Sequence, residues 1–331
     1  MAWRMLAKAL EDAPRISRVA AVFWLFGAGS MSWLPLALLC AFSVVSADAA
    51  TKVWLQGFSA RELTLIRFTL TGALLSPLLF WLPDLGALPA PFWGWLGVLV
   101  PLEIGAMLLY MAAIRDHPLS LTLPYLAFTP VFSMVIAALV LGERISLIGL
   151  VGVLLIVAGA WLLNVEQARR DDWRTWLRPL SAIRWEAGSR MMLGVALLYG
   201  LTSTLGKLVL LYLPSAAFGA FYFAIIGLLA IPLLVLVPIG GTRFSLRPAL
   251  RRLASRPGAV LAVAALNGVM VVTHFMALRL TEVAYMIAVK RSSLLFGILY
   301  GALLFRESNL ASRMPGGLLM VSGVFVILLA G

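Results

Sequence analysis

Lys290 and Arg291 stand side by side inside an apolar run, Val283 to Phe305, where charge is out of place. Placing such a residue at the centre of a membrane helix costs about 2.5–3.5 kcal/mol, so intramembrane cations turn toward a cavity or a partner. At 1.5 Å per residue the doublet lies roughly 12 Å into the run, too deep for easy snorkelling to water. Neighbouring cations in an apolar setting keep their charge most readily beside an anion. Arginine presents a planar fork matched to carboxylate or phosphate oxygens, and lysine adds a compact charge. The doublet therefore points to capture of a small anionic molecule. Lys207, His274, Asn267, Tyr285 and Ser292 are the polar residues placed to complete that pocket. Tyr285 and Ser292, seven residues apart, would share one helical face.

Four further charges lie within apolar runs. Glu103, beside Pro101 and Gly105, is either an ion-pair partner that lowers the cost of the doublet or a group whose protonation couples to substrate. Asp48 and Lys52 are four apart, and Arg67 lies one turn into the next run; they read as structural pairs or as a gate at one membrane surface. Lys207 also fits a lysine that snorkels from a helix end, and His274 a packed histidine. Catalysis is not indicated. The acids are dispersed, His117 lies in a loop and His274 in a span, and a single Cys40 gives neither a disulfide nor a cysteine metal cluster. No metal or cofactor is implied. There is no phosphate-binding loop of the Walker type, so uphill movement would draw on an ion gradient or on exchange.

The elements that must hold these residues are membrane helices. The chain is 62% hydrophobic and 12% charged, with mean hydropathy +1.01, more apolar than one water-soluble core can bury. The spacing predicts an all-α integral membrane protein with ten transmembrane helices. They are Leu34–Gln56, Leu63–Leu82, Pro91–Ala113, Leu119–Leu141, Ile145–Leu163, Met191–Leu213, Ala216–Pro238, Gly258–Leu278, Val283–Phe305 and Ser312–Ala330. Pro124 and Pro130 should interrupt the fourth around Tyr125 and Thr129. The net charge of +12 is dealt out by loop, which speaks for membrane orientation and against nucleic acid. Arg169, Arg170, Arg174, Arg178, Arg184 and Arg190 follow helix 5, and Arg243, Arg247, Arg251, Arg252 and Arg256 follow helix 7, whereas loops on the other side hold only Arg144 and Arg279. The basic side is expected to be cytoplasmic and the C-terminus periplasmic.

Two stretches of the chain repeat at an offset of 164 residues. Ala113, Arg115, Phe132, Ala138, Glu143, Gly152, Leu154, Leu155 and Gly159 return as Ala277, Arg279, Phe296, Ala302, Glu307, Gly316, Leu318, Leu319 and Gly323. Leu36 to Lys52 echoes Val195 to Lys207 once a gap of about one helical turn is allowed. Five helices per copy is an odd number, so the copies must be inverted, with the substrate held between them. The organisation predicted is an N-terminal extension, 1–32, a first repeat, 33–163, a basic linker, 164–190, with Trp173, Trp176 and Trp185 at the membrane surface, and a second repeat, 191–331.

Leu139-Val-Leu-Gly-Glu143 followed by Gly149 to Gly159, and Leu303-Leu-Phe-Arg-Glu307 followed by Gly316 to Gly323, resemble the paired C-terminal ends of EamA domains in the drug/metabolite transporter superfamily. The resemblance covers about residues 33–330. It implies a bacterial inner-membrane protein of ten helices that exposes a central cavity alternately to each side, with no enzymatic activity. Its partners would be a small-molecule substrate and the lipid bilayer; a homodimer is left open. The Lys290-Arg291 doublet on helix 9 is similar to the sugar-phosphate and nucleotide-sugar branch, which implies a phosphate grip. The symmetry-related positions, Leu126 and Ala127, are apolar. Two alternatives follow from the same resemblance: export of amino acids or drugs, with Glu103 meeting a cationic group, and flipping of a lipid-linked phosphate. One feature departs from many relatives: Pro83 to Pro89 carries only Asp84 where they have a basic loop, so the orientation expected here is reversed relative to theirs.

Overall fold

The computed structural model describes residues 33–116, 123–164, 184–236, 244–305 and 310–330, and every element among them is helical. The extension 1–32, the loop histidine His117, Trp173, Trp176 and Glu307 lie outside the described residues. Helix α1 is Trp33–Trp54. Helix α2 passes from Ala60–Thr64 through a π-helical stretch, Leu65–Leu70, to Thr71–Leu75 and a 3-10 end, Ser76–Trp81. Helix α3 is Ala90–Asp116, α5 Leu147–Asn164, α6 Ala187–Leu210, α7 Ser215–Leu236, α8 Pro257–Leu280 and α10 Leu310–Ala330. Among the described residues six helices are long and apolar enough to cross a membrane: α1, α2, α3, α6, α7 and α8. The fourth, fifth and tenth runs give shorter apolar helices.

Besides α2, two further predicted spans are not continuous α-helices among the described residues. Helix α4 opens as a 3-10 segment, Leu123–Phe128, and becomes α-helical at Thr129–Val140, with Pro130 in the first turn, where a missing N–H is harmless. Helix α9 is Val283–Lys290, a turn at Arg291 and Ser292, and a second helix, Ser293–Phe305. The restarts at Thr129 and Ser293 are themselves 164 residues apart. Both copies thus break one span at one level, although only the first carries prolines there.

Packing shows how the copies meet. In a bilayer, helix association draws on close van der Waals contact, and small residues permit it. A β-carbon at Gly152 would lie 2.8 Å from the Gly323 carbonyl oxygen, and one at Gly159 would lie 2.5 Å from that of Gly316. Since Gly316 and Gly323 are the repeats of Gly152 and Gly159, each glycine of α5 faces the repeat of the other on α10. That crossing is antiparallel and two-fold, the geometry that inverted copies require. The same reciprocity recurs between α2 and α7, where Gly72 abuts the Phe223 carbonyl and Gly227 the Phe68 carbonyl, at an offset of 155 residues. Lys52 and Lys207 share that offset. Replacing Gly159 with valine forces two backbones apart and is expected to lower stability by about 2 kcal/mol or more. Thermal unfolding in detergent reads this, with Gly97→Val, where a β-carbon meets nothing within 4 Å, as the unchanged control.

The basic loop after α7 contains an element that hydropathy alone did not reveal, an amphipathic helix at Leu246–Ala254. It buries Ala249 and Leu253 and staples the α1–α2 turn. Arg252 donates to the Gly57 carbonyl at 2.6 Å, lies 3.4 Å from Glu62 Oε2 and sits over the Phe58 ring, while Arg256 donates to the Trp54 carbonyl. Glu62 closes a capping box with Ser59 at the start of α2.

Candidate functional site

The break in α9 places its cations. At Arg291 and Ser292 the backbone tightens to shorter bonds, Arg291 N–H to the Ala288 carbonyl at 3.0 Å and Ser292 N–H to that of Val289 at 2.9 Å. Lys290 and Arg291 therefore cap the C-terminal end of a short helix, where the aligned peptide dipoles favour positive charge. The break also ends the seven-residue register, so Tyr285 and Ser292 do not share a face as predicted. Arg291 Nη2 donates to Thr129 Oγ1 at 2.7 Å, the first α-helical residue of the matching break in α4. Its Nε is buried without a partner. The nearest polar contact of Lys290 Nζ is the thioether sulfur of Met270 at 3.8 Å. Among the described residues no carboxylate oxygen lies within 4 Å of either cation.

Both open onto a chamber of about 350 Å³ between the copies. Seven repeat-related pairs line it: Asp48 and Ser203, Arg67 and Tyr222, Val44 and Tyr199, Phe68 and Phe223, Glu103 and Asn267, Tyr110 and His274, Leu126 and Lys290. The first four pairs follow the 155-residue offset and the others the 164-residue offset. Apart from Phe68 and Phe223, each position has kept its place and changed its chemistry. Both acids come from the first copy, and Lys290, Arg291 and His274 from the second. Tyr199 and Thr202 complete the polar wall. Besides Arg291 Nε, the lining has two buried groups without partners, Tyr222 Oη and His274 Nδ1. Buried polar atoms are rarely left unmatched, so this cluster is prepared for something that supplies the missing bonds.

The predicted site residues divide. Lys290, Arg291, His274, Asn267, Glu103, Asp48 and Arg67 line the chamber. Asn267 spends its amide on α2, donating to the Arg67 carbonyl at 2.8 Å and to Thr71 Oγ1 at 3.2 Å. Of the two readings of Glu103, ion-pair partner of the doublet or coupling group, the first finds no salt bridge: Glu103 makes no ion pair among the described residues. Asp48 and Arg67 form an ion pair whose side chains are 57% and 26% exposed, so the chamber is reached at that end. Lys52 is exposed in the last turn of α1 and is not part of the lining.

Lys207, Tyr285 and Ser292 stand apart from the chamber. Lys207 Nζ is 2.5 Å from Glu143 Oε1 and donates to the Thr281 carbonyl at 2.6 Å, and Glu143 Oε2 accepts from Val283 N–H at 2.9 Å. These bonds tie the α4–α5 turn of the first copy to α6 and the α8–α9 turn of the second. Tyr285 packs where a β-carbon at Gly149 would overlap its hydroxyl, and it lines a separate cavity of about 340 Å³ with Trp33, Arg144 and Glu282. Ser292 is buried with its hydroxyl unpartnered. Sequence reasoning passed over Glu143, used only as a repeat marker, and the tyrosines Tyr110, Tyr199 and Tyr222. The offsets that define the repeat point to Tyr110 and Tyr222, as partners of His274 and Arg67.

Comparison with known proteins places this architecture. Residues 31–165 match the EamA-like transporter family. No curated protein matches the sequence. A solved structure described only as a crystal structure of a protein is similar over 91% of this chain and 97% of that one, with a TM-score of 0.65 at 17% identity, a likeness of fold.

Proposed function

We propose that this chain, whose residues 31–165 match the EamA-like transporter family, is a secondary active carrier of a small organic anion, phosphate- or carboxylate-bearing, that works by alternating access. The observation that carries the reading is the pair of intramembrane cations, Lys290 and Arg291, facing a chamber with no carboxylate within 4 Å of them among the described residues. An anion entering from the Asp48–Arg67 end supplies that missing charge and meets the unused donor of Arg291 Nε. On this reading, supported by the distribution of the basic loops, that end faces the cytoplasm of a bacterial cell and the C-terminus the periplasm.

A second reading rests on Glu103. An unpaired carboxylate opposite the cations suits an ammonium group, so a substrate with both charges, or a cationic drug, is the alternative. Uptake into proteoliposomes of radiolabelled phosphorylated, carboxylated and cationic metabolites separates the two. The anion reading expects accumulation of the first two classes and exclusion of the third; transport of cations alone overturns it.

A further inference from the structure

The π-helical stretch of α2 has two faces. Arg67 and Phe68 look into the chamber, while Leu65, Thr69 and Leu70 line a groove of about 440 Å³ completed by Ile231, the amphipathic helix and the start of α8. The groove is apolar apart from Thr69, whose hydroxyl is already donated to the Gly227 carbonyl at 2.9 Å. Leu250 and Leu261 on its rim are 52% and 51% exposed, as expected for side chains that face hydrocarbon.

The arginines beside it are not equivalent. Arg252 and Arg256 are spent on the α1–α2 turn, and Arg61 lies over the Phe244 ring. Arg247 and Arg251, four apart and so on one face of the amphipathic helix, are exposed and make no ion pair or side-chain hydrogen bond among the described residues. An apolar slot walled by a helix that also carries two uncommitted, exposed guanidinium groups matches one kind of occupant. We propose that this groove is a binding site for an anionic phospholipid, with an acyl chain against Leu65, Leu70, Leu250 and Leu261 and the headgroup phosphate held by Arg247 and Arg251. Its occupant leans on the same six-residue stretch that holds Arg67 at the chamber mouth.

The test uses the full chain in phosphatidylcholine nanodiscs with a trace of a diazirine-bearing phosphatidylglycerol, cross-linked by light and mapped by peptide mass. Labelling is expected on peptides containing Leu250 and Leu70. Unlabelled phosphatidylglycerol should displace it at roughly 10-fold lower mole fraction than phosphatidylcholine, since each arginine near an anionic headgroup contributes modestly. The exposed double substitution R247Q with R251Q is expected to erase that preference, and Leu250→Trp, which fills the slot, to erase the labelling. Glycerol 3-phosphate, a headgroup without chains, should not compete. Equal displacement by phosphatidylcholine, labelling spread evenly over lipid-facing helices, persistence in either variant, or competition by glycerol 3-phosphate would each overturn the proposal.

Discussion

Substituting Lys290 and Arg291 together with glutamine is expected to cut kcat/KM for the transported anion by at least about 100-fold while leaving the folded yield unchanged. Hydrogen bonds to charged groups contribute roughly 1.5–3 kcal/mol each, and two are removed. The protein should tolerate the loss well, because neither cation makes an ion pair among the described residues. Arg291 gives up one hydrogen bond, to Thr129, and Lys290 only a sulfur contact. Arg291→Lys should keep a part of the activity, as charge survives and the fork does not. Initial uptake rates in proteoliposomes, alongside thermal unfolding of each variant, give the answer. Undiminished uptake by the double variant would remove the doublet from the site, whatever the substrate proves to be.

Glu143→Gln is expected to open the chamber at the end where α6 finishes. The Lys207–Glu143 pair is only 15% and 11% exposed, and deleting one member of a buried pair costs about 3–5 kcal/mol because the other is left uncompensated. Here the cost falls on the state in which this end is closed, and a shift of about 3 kcal/mol displaces a two-state equilibrium by more than 100-fold. Ser203→Cys in a Cys40→Ala background places a thiol in the chamber wall. A membrane-impermeant maleimide applied from the α6 C-terminal side should label it slowly in the parent and rapidly with E143Q. Exchanging the charges, Glu143→Lys with Lys207→Glu, should return labelling toward the slow rate. Labelling that stays slow in E143Q would mean that the pair does not close this end.

Much of this fold was legible because membrane helices must be long and apolar, and a duplicated sequence shows itself by offset alone. The 164-residue offset also singled out Gly152, Gly159, Gly316 and Gly323, which form the α5–α10 crossing, whereas Gly72 and Gly227 of the α2–α7 crossing fall outside the stretches it matched. The break in α9 was not legible: Val283 to Phe305 is apolar throughout apart from the doublet and its serines, with no proline to mark the turn at Ser292. Lys207 was misjudged for a related reason. Its depth along α6 was estimated correctly enough to suggest the chamber, but depth says nothing about azimuth, and a carboxylate in a turn of the other copy claimed it. The amphipathic helix was hidden by its arginines, which read as topology signals when only their number was weighed and not their spacing.

The glycine crossings carry a consequence for how such a molecule changes state. If the inward-facing and outward-facing forms differ by the two copies trading conformations, any contact that the pseudo-two-fold axis maps onto itself looks the same before and after. Gly152 with Gly323 and Gly159 with Gly316 map onto each other, as do Gly72 with Phe223 and Phe68 with Gly227. The bond between Lys207 and Glu143 has no such protection, for the repeat offsets carry it to Lys52 and Glu307 and not back onto itself. The α5–α10 and α2–α7 seams are thus free to serve as a stationary keel, and such a cycle can run without prising apart these close backbone contacts.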